Sequence, residues 1–361
     1  MTRRHLLPTL TAPFLAAAAT KTLFRLESHR LHLRHMWTTT MSSSEYRDVI
    51  YCLVTRGQFS AIGEGAPIVR YKESAAEAIK LKSTAAELIN DQTDFSRYRK
   101  LIDGIHTRFK GYWALKSALD IAVHDMAGQQ LDAPLWRLFG LDPLDAPVTT
   151  FSIGIDTPEI TRQKTREADA YPVLKIKVGL ATDEATIEAV RSVTKKPLRV
   201  DANEGWKNKD EAVRKINWLE SQGVELIEQP LPAHMLEEMK YVRSKIHMPV
   251  FADEACLHPD DIPKLVPYFD GVNIKLDKCG GVLEALRMME IARSLGLKVM
   301  LGCMISSSVA ITAAAHLSPL VDYADLDGNL LIRNDPYVGA TVEAGRLILP
   351  SGPGLGLKPR I

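Results

Sequence analysis

Short apolar runs that end in a polar residue recur along the second half of the chain, and amphipathic stretches separate them. They are VLKIKVG (173–179), LRVDAN (198–203), VELIEQP (224–230), PVFADE (249–254), GVNIKLDK (271–278), KVMLGCM (298–304) and YADLDGN (323–329). VTTFSIGI (148–155) precedes them as an eighth, and the members from Lys177 to Lys275 lie about 25 residues apart, the length of one βα unit. Between the runs, apolar residues at three and four spacing predict helices over 182–194, 208–222, 234–245, 259–268, 281–295 and 305–317. DTPEITRQKTREADA opens the series, with Thr157 suited to the N-cap and Pro158 to the first helical position. This alternation predicts a barrel of parallel strands that begins near Pro147.

Upstream the pattern is mixed. LFRLESHRLHLRH alternates as a half-exposed strand would, and DVIYCLVTRGQFSAIGEGAP predicts a hairpin around Arg56-Gly57. Between them MWTTTMSSSEYR (36–47), rich in hydroxyls and poor in apolar residues, predicts a loop. SAAEAIKLKSTAAELI, with Ser74 as N-cap, and ALKSALDIAVHDMAGQQL (114–131) predict helices. His124 and Asp125 stand next to each other on the second of these. Adjacent helix positions point in different directions, so His124 reads as structural.

A chain of 361 residues suits one barrel of about 250 residues plus a smaller domain. The expected division is an α+β domain over 21–145, the barrel over 146–335, and a segment, 336–361, that returns to the first domain. Hydrophobic (46%) and charged (25%) content are those of a soluble enzyme, and a net charge of +1 without a basic stripe argues against a nucleic-acid partner. Cys52, Cys256, Cys279 and Cys303 form no CxxC pair and read as free thiols, not as a disulfide framework or zinc site. Residues 1–20 carry Arg3-Arg4 and an apolar stretch broken by Pro8 and Pro13. Two readings stand, an export signal of the twin-arginine kind and an extension without structure, so the compartment is cytoplasm or periplasm. Neither reading gives a segment long enough to anchor in a bilayer.

Lys175 and Lys177 are two apart and share one face of their strand. Parallel barrel strands are covered by helices outside and filled by side chains inside, so a lysine there needs a partner or a function. Desolvation and nearby cations lower an amine's pKa, which suits a general base near neutral pH. Asp201, Glu228 and Asp253 close three successive strands and would repel one another without a cation. Oxygen donors without His or Cys suit Mg²⁺ or Mn²⁺. Asn203 shares parity with Asp201 and could support the site, whereas Glu254 is expected to point away from Asp253. Lys275, on the sixth strand, stands across the ring from Lys177. Two amines flanking one molecule fit removal of a proton from one face of a carbon and its return to the other.

Together K-I-K, D-A-N, E-Q-P, A-D-E, N-I-K and the glycine-bearing LGCM resemble the enolase superfamily, specifically its muconate-lactonising branch. The resemblance runs from about Lys21 onward. It implies a (β/α)₇β TIM-like barrel closed by an α+β capping domain, one Mg²⁺ per subunit held by Asp201, Glu228 and Asp253, and Lys177 and Lys275 as the two acid/base groups. Lys175 is implied to stabilise the substrate carboxylate. A histidine dyad would replace Lys275 in the mandelate-racemase type.

D-x-D on the last strand, Asp325 and Asp327, is similar to the motif by which dipeptide epimerases hold a free α-ammonium group. The resemblance thus implies inversion of the α-carbon of a dipeptide's C-terminal residue by proton transfer through an enediolate, with no membrane partner and self-association into a homo-oligomer. Trp37 and Met41, in the stretch that covers the substrate's side chains in that family, hint at apolar or broader dipeptides, although Arg34 or Arg47 could supply a charge. Three alternatives stay open. One is an N-acylamino acid racemase, o-succinylbenzoate synthase or cycloisomerase of the same branch. Another is an aldolase that uses a Schiff-base lysine. On the third, Asp325 or Asp327 merely caps the turn before Gly328.

Overall fold

A computed structural model describes residues 21–360, so the export-signal reading of Arg3 and Arg4 lies outside the described residues. The chain opens with three antiparallel strands in the order β1 (Leu23–Thr38), β2 (Ser43–Arg56) and β3 (Phe59–Gly65). Gly57, at φ 59°, makes the β2–β3 turn, where the sequence places it. The helix Trp113–Gln130 packs across this sheet, and its alanines let the two backbones come very close. At Gly63 a β-carbon would sit 1.9 Å from Ala118 O, so no other residue fits there without displacing the helix.

Residues 36–47 do not form the expected loop. Met36–Thr38 continue β1 and Ser43–Arg47 begin β2, leaving only a short turn between Thr38 and Ser43. Pairing shifts between His32 and Trp37, because β1 bulges out towards the barrel. There Leu33 bridges Ile332, His32 O accepts from Arg333 N (2.9 Å) and Arg34 Nε donates to Leu330 O (3.0 Å). The end of the hairpin is thereby fastened to the barrel.

The barrel strands are β4 (Phe151–Ile153), β5 (Leu174–Lys177), β6 (Leu198–Asp201), β7 (Val224–Glu228), β8 (Val250–Ala252), β9 (Gly271–Ile274), β10 (Lys298–Gly302) and β11 (Tyr323–Asp325). All neighbours are parallel and in sequence order, and a bridge between Thr149 and Ala324 joins the first strand to the last. Helices follow each of the first seven, giving a (β/α)₇β barrel. Leu226, Phe251, Met300 and Tyr323 form an apolar plug beneath the mouth. One run departs from expectation. β9 ends at Ile274, and Leu276–Cys279 turn into a short helix that Gly280 (φ 94°) terminates.

The C-terminal segment packs back on the first domain. Leu355 N donates to Asp125 Oδ1 (2.8 Å), Leu135 N to Gly354 O (3.1 Å) and Trp136 Nε1 to Pro350 O (3.0 Å). His124 is fully buried, with Nδ1 3.0 Å from Asp120 Oδ1, and takes no part in the mouth. Glu64 of β3 ties the cap to the barrel by accepting from Ser307 N (2.8 Å), Ser307 Oγ (2.7 Å) and Ala310 N (3.0 Å) at the start of the helix Ser308–Ala315. Among the described residues no helix is long and apolar enough to cross a membrane.

Candidate active site

Strand register gathers the acids. β5 and β6 set Lys177 beside Asp201, β6 and β7 set Asp201 beside Glu228, and Asp253 follows two residues after Phe251, the partner of Glu228. The three carboxylates are buried, and their oxygens come within 4.8 Å of one another. Each is held from behind. Asn203 donates to Asp201 through its backbone N–H (2.9 Å) and its Nδ2 (3.2 Å), and Asn273 Nδ2 donates to Glu228 Oε2 (2.7 Å). A β-carbon at residue 302 would lie 2.5 Å from Asn273 Oδ1, so the glycine of LGCM is needed for this contact. Gln229, in the left-handed region at φ 33°, accepts from Asp253 N (3.0 Å) and Ala255 N (3.1 Å) and so shapes the turn that aims Asp253.

The amines meet these acids directly. Lys175 Nζ lies 2.6 Å from Asp325 Oδ2, 2.7 Å from Glu228 Oε1 and 3.6 Å from Asp201 Oδ2. Lys177 Nζ is 2.6 Å from Asp201 Oδ2, and Lys275 Nζ is 2.8 Å from Asp253 Oδ2. With β5 and β9 four strands apart in an eight-stranded ring, Lys177 and Lys275 occupy opposite walls. Burial pushes Lys175 and Lys275 down, but Asp325 and Glu228 beside the first and Asp253 beside the second outweigh it, so both amines are held above the ordinary lysine range.

The donor set fits a hard divalent cation. It is all oxygen, and two further buried oxygens at its edge, Glu254 Oε2 and Asn203 Oδ1, meet no hydrogen-bond donor among the described residues. Glu254 stands behind the three acids, not among them. Its Oε1 accepts from the Asn203 amide that also holds Asp201 (3.1 Å), and burial, with Asp253 and Asp201 adding to it, pushes its carboxyl up to about 8.

The two aspartates of the last strand differ. Asp325 is committed to Lys175 and to Thr150 Oγ1, and these hold its carboxyl at about 2 although burial opposes them. Asp327 accepts the Ser152 backbone N–H (2.5 Å), and no cation pairs with it among the described residues. Burial first, and Asp325 second, push it up to about 7. Its side chain does not cap the turn Gly328–Leu331. Trp37 packs over Gly154, and the hairpin end is pinned by Thr40 Oγ1 to Asn203 O (2.7 Å) and Ile155 N to Thr38 O (3.0 Å). Met41 lies at the exposed tip, outside the pocket that Trp37 lines. Arg47 donates to its neighbour Tyr46 O (3.1 Å).

Sequence reasoning missed Lys278. Its Nζ donates to Asp253 Oδ1 (2.6 Å), Asp253 O (2.6 Å) and Asn273 O (2.8 Å), which occupies all three protons and fixes Asp253 from the side opposite Lys275. The signal was a second lysine three residues after the first, one helical turn on. Partners that orient metal-ligand residues typically cost about 10–100-fold in activity when removed. Lys278→Met is therefore expected to lower kcat/KM by about that factor. Titration with a divalent cation should show weaker binding in this variant, and unchanged kcat/KM together with unchanged cation affinity would refute this role.

A parallel barrel whose mouth sets buried acids against amines, under a cap pinned to its rim, defines an α/β-barrel enzyme built for acid–base chemistry. Residues 159–360 match the family model described as Enolase C-terminal domain-like. The chain is 40% identical to the L-Ala-D/L-Glu epimerase of Bacteroides thetaiotaomicron, over 91% of this chain and 86% of that one. It is also 40% identical to the L-Ala-D/L-amino acid epimerase of Pedosphaera parvula, over 91% and 97%. A dipeptide epimerase from Enterococcus faecalis, crystallised with Mg and L-Leu-L-Tyr, superposes with a TM-score of 0.87 at 31% identity, covering 94% of this chain and 99% of that one. The chain belongs to the enolase superfamily.

Proposed function

We propose that this enzyme is a Mg²⁺-dependent dipeptide epimerase, an isomerase that inverts the α-carbon of the dipeptide's C-terminal residue. The observation that carries the reading is the combination of two amines on opposite walls with one buried carboxylate, Asp327, that forms an ion pair with no cation among the described residues. A substrate ammonium that loses its water needs such a carboxylate. Asp201, Glu228 and Asp253 would hold the cation, which when bound would draw electron density from the substrate carboxylate and acidify the neighbouring α-hydrogen. Lys175, kept charged by Asp325 and Glu228, adds a fixed positive charge on the same side. Lys177 or Lys275, whichever faces the hydrogen, would take the proton as the neutral amine, and the other, as the ammonium, would deliver one to the opposite face. The closed cap excludes water while the carbon is without its proton.

The test is mass-spectrometric deuterium incorporation from D₂O into a pooled L,L-dipeptide library with Mg²⁺ present. Some dipeptides should gain one mass unit, and none should after EDTA treatment. No gain in any dipeptide, with exchange in N-acylamino acids instead, would overturn the reading.

A further inference from the structure

A pocket opens at the rim of the barrel, between β1 of the cap, β4 and the turn after β11. Its lining is largely apolar, with Leu33, Trp37, Phe151, Ile305 and Leu331 around it and Ser152 at the barrel side. Ser152 is also the residue whose backbone N–H holds Asp327, so the pocket and the ammonium site share a wall. We infer that this pocket receives the side chain of the dipeptide's N-terminal residue and selects an aliphatic one of the size of Val, Leu, Ile or Met. The inference rests on the dipeptide reading of the site.

Three features narrow the occupant. An α-ammonium on Asp327 leaves its own α-carbon one bond away, on the side where Ser152 joins the carboxylate to the pocket wall. Two of the charged groups at the rim are paired within the protein, Lys164 Nζ with Asp156 Oδ2 (3.0 Å) and His35 Nε2 with Glu167 Oε2 (3.1 Å), whereas Arg34, whose Nε donates to Leu330 O (3.0 Å), is exposed to water. A cationic side chain entering from water would displace solvent without a ready counter-charge, and an acidic one would find only Arg34, at the rim, where water screens it. The third feature is size, since the cavity holds about 70 Å³. A cavity of about 150 Å³ accommodates a benzene ring, so this one suits a smaller, flexible group. An alanine methyl leaves most of it empty, and each buried CH₂ is worth roughly a four-fold gain in binding.

The experiment compares deuterium exchange rates, with Mg²⁺ present, for dipeptides that share a C-terminal residue and carry Ala, Val, Leu, Met, Phe, Asp or Lys at the N-terminus. The series is repeated over several C-terminal residues. Leu and Met are expected to exceed Ala, Phe, Asp and Lys by about ten-fold or more in kcat/KM. In Leu331→Trp, which fills the pocket, the Leu-to-Ala ratio should fall towards one, with circular dichroism reporting that the variant is folded. Wild-type rates that are equal or faster with Ala, or fastest with Phe, Asp or Lys, overturn the pocket assignment while leaving the epimerase reading intact. Exchange in no dipeptide overturns both, and marks the reading of the site as the part that failed.

Discussion

Lys177→Ala will lose interconversion of the substrate diastereomers by about three orders of magnitude or more, yet will still exchange the α-hydrogen of one diastereomer with solvent deuterium. The asymmetry follows from the walls. Lys177 at the end of β5 and Lys275 just past β9 stand four strands apart, so each reaches one face of a carbon held between them. With Lys177 gone, Lys275 can still take a proton from its own face and return deuterium there, but nothing delivers to the other. Lys275→Ala should show the mirror result, with exchange confined to the opposite diastereomer. The fold should survive the first change, because Asp201 keeps both bonds from Asn203 and lies 3.6 Å from Lys175. Parallel rates of deuterium incorporation into the two purified diastereomers make the measurement. Exchange lost from both, or kept in both, would rule out one lysine per face.

Residues that end barrel strands were legible because two constraints act on them together. A strand buried on both faces is apolar, so a charged residue inside the run stands out, and period two assigns it to a wall. Lys175, Lys177, Asp201, Glu228 and Asp253 all reveal themselves this way. Legibility fails once the strand stops. Lys278 and Gln229 act from turns, one in a helical turn and one in the left-handed region, where period two no longer tells which way a side chain points. The hairpin end at 36–47 was hidden for the opposite reason. Its backbone pairs as a strand while its side chains stay largely solvated, and hydroxyls that face water leave no apolar alternation to read. The partners of the amines were hidden as well, because burial is visible in a strand pattern whereas contacts such as Lys175 with Asp325, 150 residues apart, are not.

Asp327→Asn separates the dipeptide reading from every other member of the branch. Asparagine keeps an oxygen for the Ser152 N–H, so the turn after β11 should hold, but it removes the charge. Asp325 is the poorer site for this test, because neutralising it would strip Lys175 of its shortest ion pair and disturb the amines themselves. If Asp327 is the counter-charge of a desolvated ammonium, the variant loses the equivalent of a buried charge pair, about 30- to 1,000-fold in kcat/KM towards dipeptides. An N-acylated amino acid carries no ammonium and should be handled no worse by the variant than by the wild type. The discriminating quantity is therefore the ratio of the two activities, which a general loss of folding cannot produce. A variant that loses both activities equally would place Asp327 in the support of the barrel mouth, and one that keeps its dipeptide turnover would remove the ammonium from this end of the site.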